Sequence, residues 1–502
     1  MAAVSEATRR AQWTRGGIAL RTLAQIAFAC LALALAVRAL YYVGVTFPRI
    51  AWPHESTGGE ATMLYESALL DRNPLDGLRA LYGPQAPDHF IAGNYPPLYI
   101  ALWALDPGAS SFITGRTISL FWGVVAAVAG GVAVWGALRD RGTRLTRGAA
   151  AVLGGAAFIC TVPVFQQLGI AKPDMMALGL AACGLACFEI APNRRGAILA
   201  GLCFAAALLT KQSVGFALAA AGLASLRRGP RDAVALVVTV AAALGAGLGF
   251  LWLLAGPTVF DHLVLYNLRP WRQDRFESLN SKFIRLHWHL VVLGVGYGLW
   301  AIRGRGRSAL TYYPFLTLVT FYTVGSEGGA RNYYLELCLA AGLGAALAVG
   351  TLLGSRPTWT LPLGAGLLVV LGVYAVQAYT VFVIGQYVPE PPVAEGGRRN
   401  DILARADAAP DPILSDDVSY LAMRGRPAVI DDGFMAEHAR REGYWNTAGV
   451  VAAIEARRYP LVLTSRSPDD EALRRAWGDV VVDALYANYV RSGPFSFVPQ
   501  PR

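Results

Sequence analysis

Long apolar runs separated by short polar clusters make up most of this chain. The runs lie roughly at 20–45, 111–138, 149–168, 174–191, 196–210, 213–226, 232–255, 286–302, 308–324, 332–352 and 358–384. A helix needs roughly 20 apolar residues to cross a bilayer, so the pattern predicts a polytopic α-helical membrane protein with about 11 transmembrane helices. The shorter runs are expected to tilt or to stop below one surface. After residue 388 the pattern changes. A Pro/Gly linker, VPEPPVAEGG, gives way to short apolar stretches at 412–416, 427–431 and 460–465, with helical stretches at 434–441, 446–457 and 469–476 between them. That alternation predicts a small α/β domain over 401–502, behind a membrane module over 1–387 and a linker over 388–400. Asp416, Asp417, Asp431 and Asp432 follow its strand ends, where open α/β sheets often bind ligands and where solvated loops also carry acids.

Composition supports the membrane assignment. Of 502 residues, 55% are hydrophobic and only 16% charged, against about 25% charged in soluble domains. The net charge of +10 suggests nucleic acid until its location is considered. It is mostly arginine, clustered at 139–147, 194–195, 227–231 and 303–307, and every cluster falls on the side of the arginine-bearing N-terminus. That is the signature of membrane orientation, not of a nucleic-acid footprint. The N-terminus is therefore expected in the cytoplasm of a bacterial cell, the chain in the inner membrane, and everything after about residue 385 outside. The six cysteines all lie in apolar runs. Cys183 and Cys187 share a helix face, but small buried hydrophobes explain them better than a metal does.

Polar groups at membrane depth need a reason, and they collect on the predicted outer side. The first outer loop, 46–98, carries Glu55, Glu60, Glu66 and Asp71 in a Tyr- and Leu-rich context too apolar for disorder. Glu60, behind Gly58-Gly59 and opening a helical pattern, is the candidate catalytic carboxylate. The only lysines, Lys172, Lys211 and Lys282, all map to the outer face, against the positive-inside trend. An anion at that leaflet, such as a lipid phosphate, would account for them. Lys211 interrupts one apolar run, which suits a ligand contact better than snorkelling to headgroups. Arg331, in GSEGGARNYYLE (325–336), adds a bidentate donor. The basic, aromatic loop 261–285 contributes Tyr266, Arg269 and Trp271, which would lie along the headgroups or stack on sugar rings.

These segments, in this order, resemble the GT-C superfamily of membrane glycosyltransferases. The nearest resemblance is to family 39, the protein O-mannosyltransferases and the lipid A aminoarabinose transferase. The matching places are the helix E-x-x-x-L-Y-x-x-A-x-L-L from Glu60, NYPPLYIAL (94–102), Asp174 at a span start, LTKQSVG (209–215) and GGARNYYLE (328–336). The resemblance implies a polyprenyl-phosphate sugar donor, an active site at the outer leaflet and inversion at the anomeric carbon. It makes Glu60 the base and Asp174 a second acid of the site. It also makes Lys211 and Arg331 phosphate contacts, with Lys172 or Lys211 taking the role of a lysine the family carries elsewhere; the outer-face segments add Asn94, Tyr95, Tyr266, Arg269 and Tyr333 as expected contacts to the phosphate, sugar or lipid. The family often carries Asp-Glu where this chain has Gly59-Glu60, and some members carry Lys where it has Asn94-Tyr95. The expected partners are a lipid-linked sugar, an envelope acceptor and membrane lipids. A divalent metal shared by Glu60 and Asp174 is the one cofactor considered. The rival readings are a lipid-linked glycan transporter, which would need ionisable groups deep in mid-span, and an inactive glycan-binding homologue.

Overall fold

The computed structural model describes residues 2–108, 110–304, 306–355, 360–380, 393–465 and 470–501. Among the described residues, five helices are long and apolar enough to cross a membrane: Ala19–Ile50, Ile113–Ala137, Pro230–Ala255, Arg331–Gly354 and Thr360–Thr380. The runs between 149 and 226 form shorter helices, Arg144–Ile159, Asp174–Ile190, Arg194–Leu208 and Phe216–Arg228. At 1.5 Å per residue these reach only about 20–26 Å, less than the hydrocarbon thickness. Two expected spans are broken. The run 149–168 stops at Cys160 and restarts at Val162 with Pro163 in its first turn. The run 308–324 divides into Ala309–Leu316, Thr317–Val319 and Thr320–Thr323, because Pro314 inside it removes a backbone donor.

The Arg331–Gly354 helix is the axis of the bundle, with 94% of its most apolar window buried. Without a hydrophobic drive between helices in lipid, close packing of small residues has to hold them together. Two glycines make that possible here. A Cβ on Gly344 would lie 2.7 Å from the Gly294 Cα on the Gln273–Arg303 helix, and one on Gly342 would lie 3.1 Å from the Gly154 carbonyl on Arg144–Ile159. At the arginine-rich end, a buried Glu189–Arg228 pair at 3.1 Å ties two helices together, and Glu189 also accepts from the Ala309 N–H at 2.7 Å.

At the opposite end the first loop folds as helices Glu60–Arg72, Pro74–Tyr82 and Leu98–Trp103. Against it stands the C-terminal part. Its strands β1 (Ile413–Ser415), β2 (Leu461–Leu463), β3 (Tyr489–Gly493) and β4 (Ser496–Pro499) form one sheet in the order β1-β2-β4-β3, parallel only between β1 and β2. The stretch 427–431 is not a strand of this sheet. Its backbone pairs instead with the first loop: the Phe90 N–H donates to the Val429 carbonyl at 2.8 Å, and the Asp431 N–H to the Phe90 carbonyl at 3.2 Å. The Trp445 indole adds a bond to the Ala86 carbonyl at 3.0 Å, and the Val450 N–H one to the Pro87 carbonyl at 3.2 Å. Residues 388–392 of the expected linker lie outside the described residues, and from Val393 the chain is helical to Ala408.

Candidate active site

A cavity of about 840 Å³ lies between the first loop, the helix ends beneath it and the C-terminal sheet. Among its lining residues are Lys172, Asp174, Lys211, Asn94, Tyr95, Arg269 and Tyr333, all expected from the sequence. It is also lined by Glu55, Asn332, Asp416, Asp417, Asp431 and Asp432. Glu60 is not on its surface.

Glu60 is fully buried and saturated. Its Oε1 accepts from Arg116 Nε at 2.9 Å and the Ala171 N–H at 2.8 Å, while Oε2 accepts from Arg116 Nη2 at 2.9 Å and the Ser56 N–H at 2.6 Å. Arg116, also fully buried, spends its other donors on the carbonyls of Arg49, Trp52 and His54 and on the Ser56 hydroxyl. The structure thus does not bring Glu60, the expected catalytic carboxylate, to the cavity: four donors take up both its oxygens. It clamps segment 49–60 to the Ile113–Ala137 helix and to Ala171.

That clamp presents Glu55, whose Oε1 accepts from the N–H groups of Glu60 at 2.9 Å and Ala61 at 3.2 Å at the start of the next helix. Burial first, then the negative charges of Asp417 and Glu60, push the Glu55 carboxyl up to about 8 against the pull of Lys172. Carboxyls that work as bases are held near the working pH in this way. The sequence already placed Glu55 beside Glu60. Only burial separates the two roles. Gly59 follows from the same geometry. Its φ of +94° favours glycine, and a Cβ there would meet Lys172 Cε at 3.3 Å.

Asp174 and Lys211 pair at 2.6 Å, both nearly buried. Asn332 Nδ2 donates to the same Asp174 oxygen at 3.0 Å, and Asp174 Oδ2 has no partner. Lys211 Nζ also stands 5.2 Å from the Tyr95 ring centroid. The Asn94 carbonyl accepts from Gln212 at 2.9 Å and Asn267 at 3.1 Å, leaving its side-chain Oδ1 unpaired. Arg269 lies 4.9 Å over the Phe434 ring, so it reaches the cavity from the C-terminal side.

Three further expected contacts lie off the cavity. Arg331 does not line the cavity: it donates to Gln166 Oε1 at 2.6 Å, and the adjacent Asn332 and Tyr333 line it instead. Tyr266 is buried in an aromatic cluster with Phe90 and Tyr444, at centroid distances of 6.1 and 5.8 Å, where it joins the loop to the C-terminal part. Trp271 likewise stacks on Tyr322 at 5.7 Å, outside the cavity. Glu60 and Asp174 do not suit a shared metal, since each is engaged by its own cation. Among the described residues no three acidic, histidine or cysteine side chains converge into a metal-holding group.

No protein-family model and no curated protein matches this sequence. Solved structures do match its fold. ArnT from Cupriavidus metallidurans in the apo state superposes with a TM-score of 0.61 at 16% identity, over 94% of this chain and 98% of that one. The same protein bound to undecaprenyl phosphate gives 0.61 and 16%, over 94% and 99%. The archaeal oligosaccharyltransferase AglB from Archaeoglobus fulgidus, in complex with an inhibitory peptide and a dolichol-phosphate, gives 0.51 at 11% identity over 94% of this chain and 74% of that one. The chain has the fold of these membrane enzymes, the GT-C fold.

Proposed function

We propose that this chain is a membrane glycosyltransferase that moves a sugar from a polyprenyl-phosphate carrier to an envelope acceptor at the outer face of a bacterial inner membrane. One observation carries the reading: a single cavity holds a carboxyl poised near neutrality, Glu55, within the field of Lys172 and beside the Asp174–Lys211 pair. The fold supports it, since ArnT has been solved with undecaprenyl phosphate bound. The arginine clusters at the far end of the bundle support an outward-facing cavity.

In this mechanism the acceptor hydroxyl attacks the anomeric carbon from the side opposite the phosphate. A carbon–oxygen bond to the acceptor forms as the bond to phosphate breaks, inverting the anomeric centre. Glu55 takes the hydroxyl proton, and Lys172, Lys211 and Arg269 stabilise the departing polyprenyl phosphate. Asp174 holds Lys211 in place, and Asn332 steadies Asp174.

The test is sugar transfer from a panel of labelled polyprenyl-phosphate sugars in right-side-out and inverted vesicles, with wild type, Glu55→Gln and Glu60→Gln compared. Transfer that requires the outer face and vanishes in a normally folded Glu55→Gln protein supports the reading. A Glu55→Gln protein as active as wild type rejects Glu55 as base, and a wild type that transfers from no donor rejects the enzyme reading.

A further inference from the structure

Among the described residues, five buried polar side-chain atoms of residues that line the cavity lack a hydrogen-bond partner: Asn94 Oδ1, Asp174 Oδ2, Gln212 Oε1, Arg269 Nε and Asp431 Oδ2. Four of the five are acceptors. A buried acceptor left unpaired is costly, and here the deficit is concentrated where a ligand would sit. The occupant must therefore bring several hydrogen-bond donors.

Asp431 is the instructive member, because it comes from the C-terminal part. It is 1% exposed. Its Oδ1 is fixed by the Ala92 N–H at 2.7 Å, and its own carbonyl accepts from the Thr62 hydroxyl at 2.9 Å. The carboxyl is thus oriented before any ligand arrives, with Oδ2 unpaired on a residue that lines the cavity and with the buried Glu66 carboxyl feeling its charge. Asp432, Asp416 and Asp417 share this wall. Glu55 stands at the seam, feeling Lys172 on one side and Asp417 on the other. If the phosphate of the donor occupies the lysine side, the molecule whose hydroxyl reaches Glu55 enters along the acidic side.

We propose that Asp431 binds a hydroxyl of the acceptor, and that the acceptor is a neutral, hydroxyl-rich glycan instead of a phosphorylated one. This rests on the transfer reading above. A phosphate placed against Asp416, Asp417 and Asp432 would meet like charge, whereas sugar hydroxyls supply the donors the wall lacks. Burial, and then the charge of Asp432, push the Asp431 carboxyl up. A hydroxyl both donates and accepts, so it satisfies that group in either protonation state. Arg399, which also lines the wall, donates to the Glu55 carbonyl at 2.9 Å.

The experiment uses full-length protein in detergent and two probes. Methyl glycosides of glucose, galactose, mannose and arabinose, with glucose 6-phosphate as the charged comparison, are followed by saturation-transfer NMR. Undecaprenyl phosphate is followed by tryptophan fluorescence. Wild type should bind at least one methyl glycoside and bind it better than glucose 6-phosphate, a comparison that needs no variant. Asp431→Asn keeps the acceptor used by Ala92 but turns the free oxygen into a donor. It should weaken the glycoside about tenfold with undecaprenyl phosphate binding and melting midpoint unchanged. Equal glycoside binding by the two proteins, tighter binding of the phosphorylated sugar, or lipid binding by wild type with no glycoside bound would each overturn the inference. In the last case the transfer reading stands. Glycoside binding that depends on Asp431 without any lipid-phosphate binding would support the glycan site and overturn the transfer reading.

Discussion

Glu60 and Asp174 each open a helix at the same end of the bundle, and each is paired with a cation far away in sequence. In the first pair both carboxylate oxygens and every nitrogen of Arg116 are engaged, and no atom reaches the cavity. In the second, one oxygen holds Lys211 and Asn332 while the other is unpaired on the cavity wall. A saturated buried pair is a fastening. An unsaturated one still has something to offer a ligand. Residue type and position on a helix do not separate the two cases; the count of satisfied acceptors does.

The largest effect should come from breaking the fastening. Arg116→Met leaves Glu60 buried without its partner, a loss of about 3–5 kcal/mol. It should appear as a sharply lower melting midpoint in detergent, with activity lost only as fold is lost. Glu55→Gln should do the reverse, cutting transfer by about 10²–10⁴-fold at an unchanged midpoint, because glutamine still accepts from the Glu60 and Ala61 N–H groups. A drop in both quantities for Glu55→Gln would place Glu55 with the fastening. Lys211→Met should raise KM for the lipid-linked donor about 10–100-fold, a contact to charge being lost. An unchanged donor KM would make the second pair structural too.

The pH profile sharpens the same contrast. Glu55 must be ionised to accept a proton, so transfer should climb with pH through about 8 and level off above it. The linkage for stability has the opposite sign. A carboxyl raised from 4.5 to about 8 binds its proton more tightly in the folded state, so stability falls as pH climbs through that interval. Melting midpoint and rate should therefore move in opposite directions. The smallest effect is expected at Tyr266→Phe, a loss of about 0.5–1.5 kcal/mol in stability as the bond from its hydroxyl to Gln85 goes, with little change in rate, since the ring packs against Phe90 and Tyr444 off the cavity.

The membrane class and seven lining residues were legible in the sequence because intramembrane charge is expensive and therefore informative: Lys172, Asp174 and Lys211 were visible as anomalies. Asn94, Tyr95, Arg269 and Tyr333 were visible from their segments. The pairing of Glu60 was not legible because its partner, Arg116, lies 56 residues away, and nothing local announces that a carboxylate will be saturated. Glu55, five residues earlier, looked like any loop acid. Arg331 was traded for its neighbours because one step along a 3₁₀ turn re-aims a side chain. The stretch 427–431 has a strand's composition, and it does pair, with a loop more than 300 residues upstream. Hydrophobic pattern fixes which residues are buried and not which backbone they face.

The bonds from Asp431 to Thr62 and Ala92 span 369 and 339 residues. For a chain made from one end to the other, these contacts are among the last available. The first loop is made early, yet its cavity has no far wall until residues beyond 431 have been made. During synthesis the carboxyls and lysines of the first part of the chain therefore stand as an open groove. On this geometry a chain cut before residue 416 lacks the acidic wall, and the cavity closes only when two parts of the chain far apart in sequence meet.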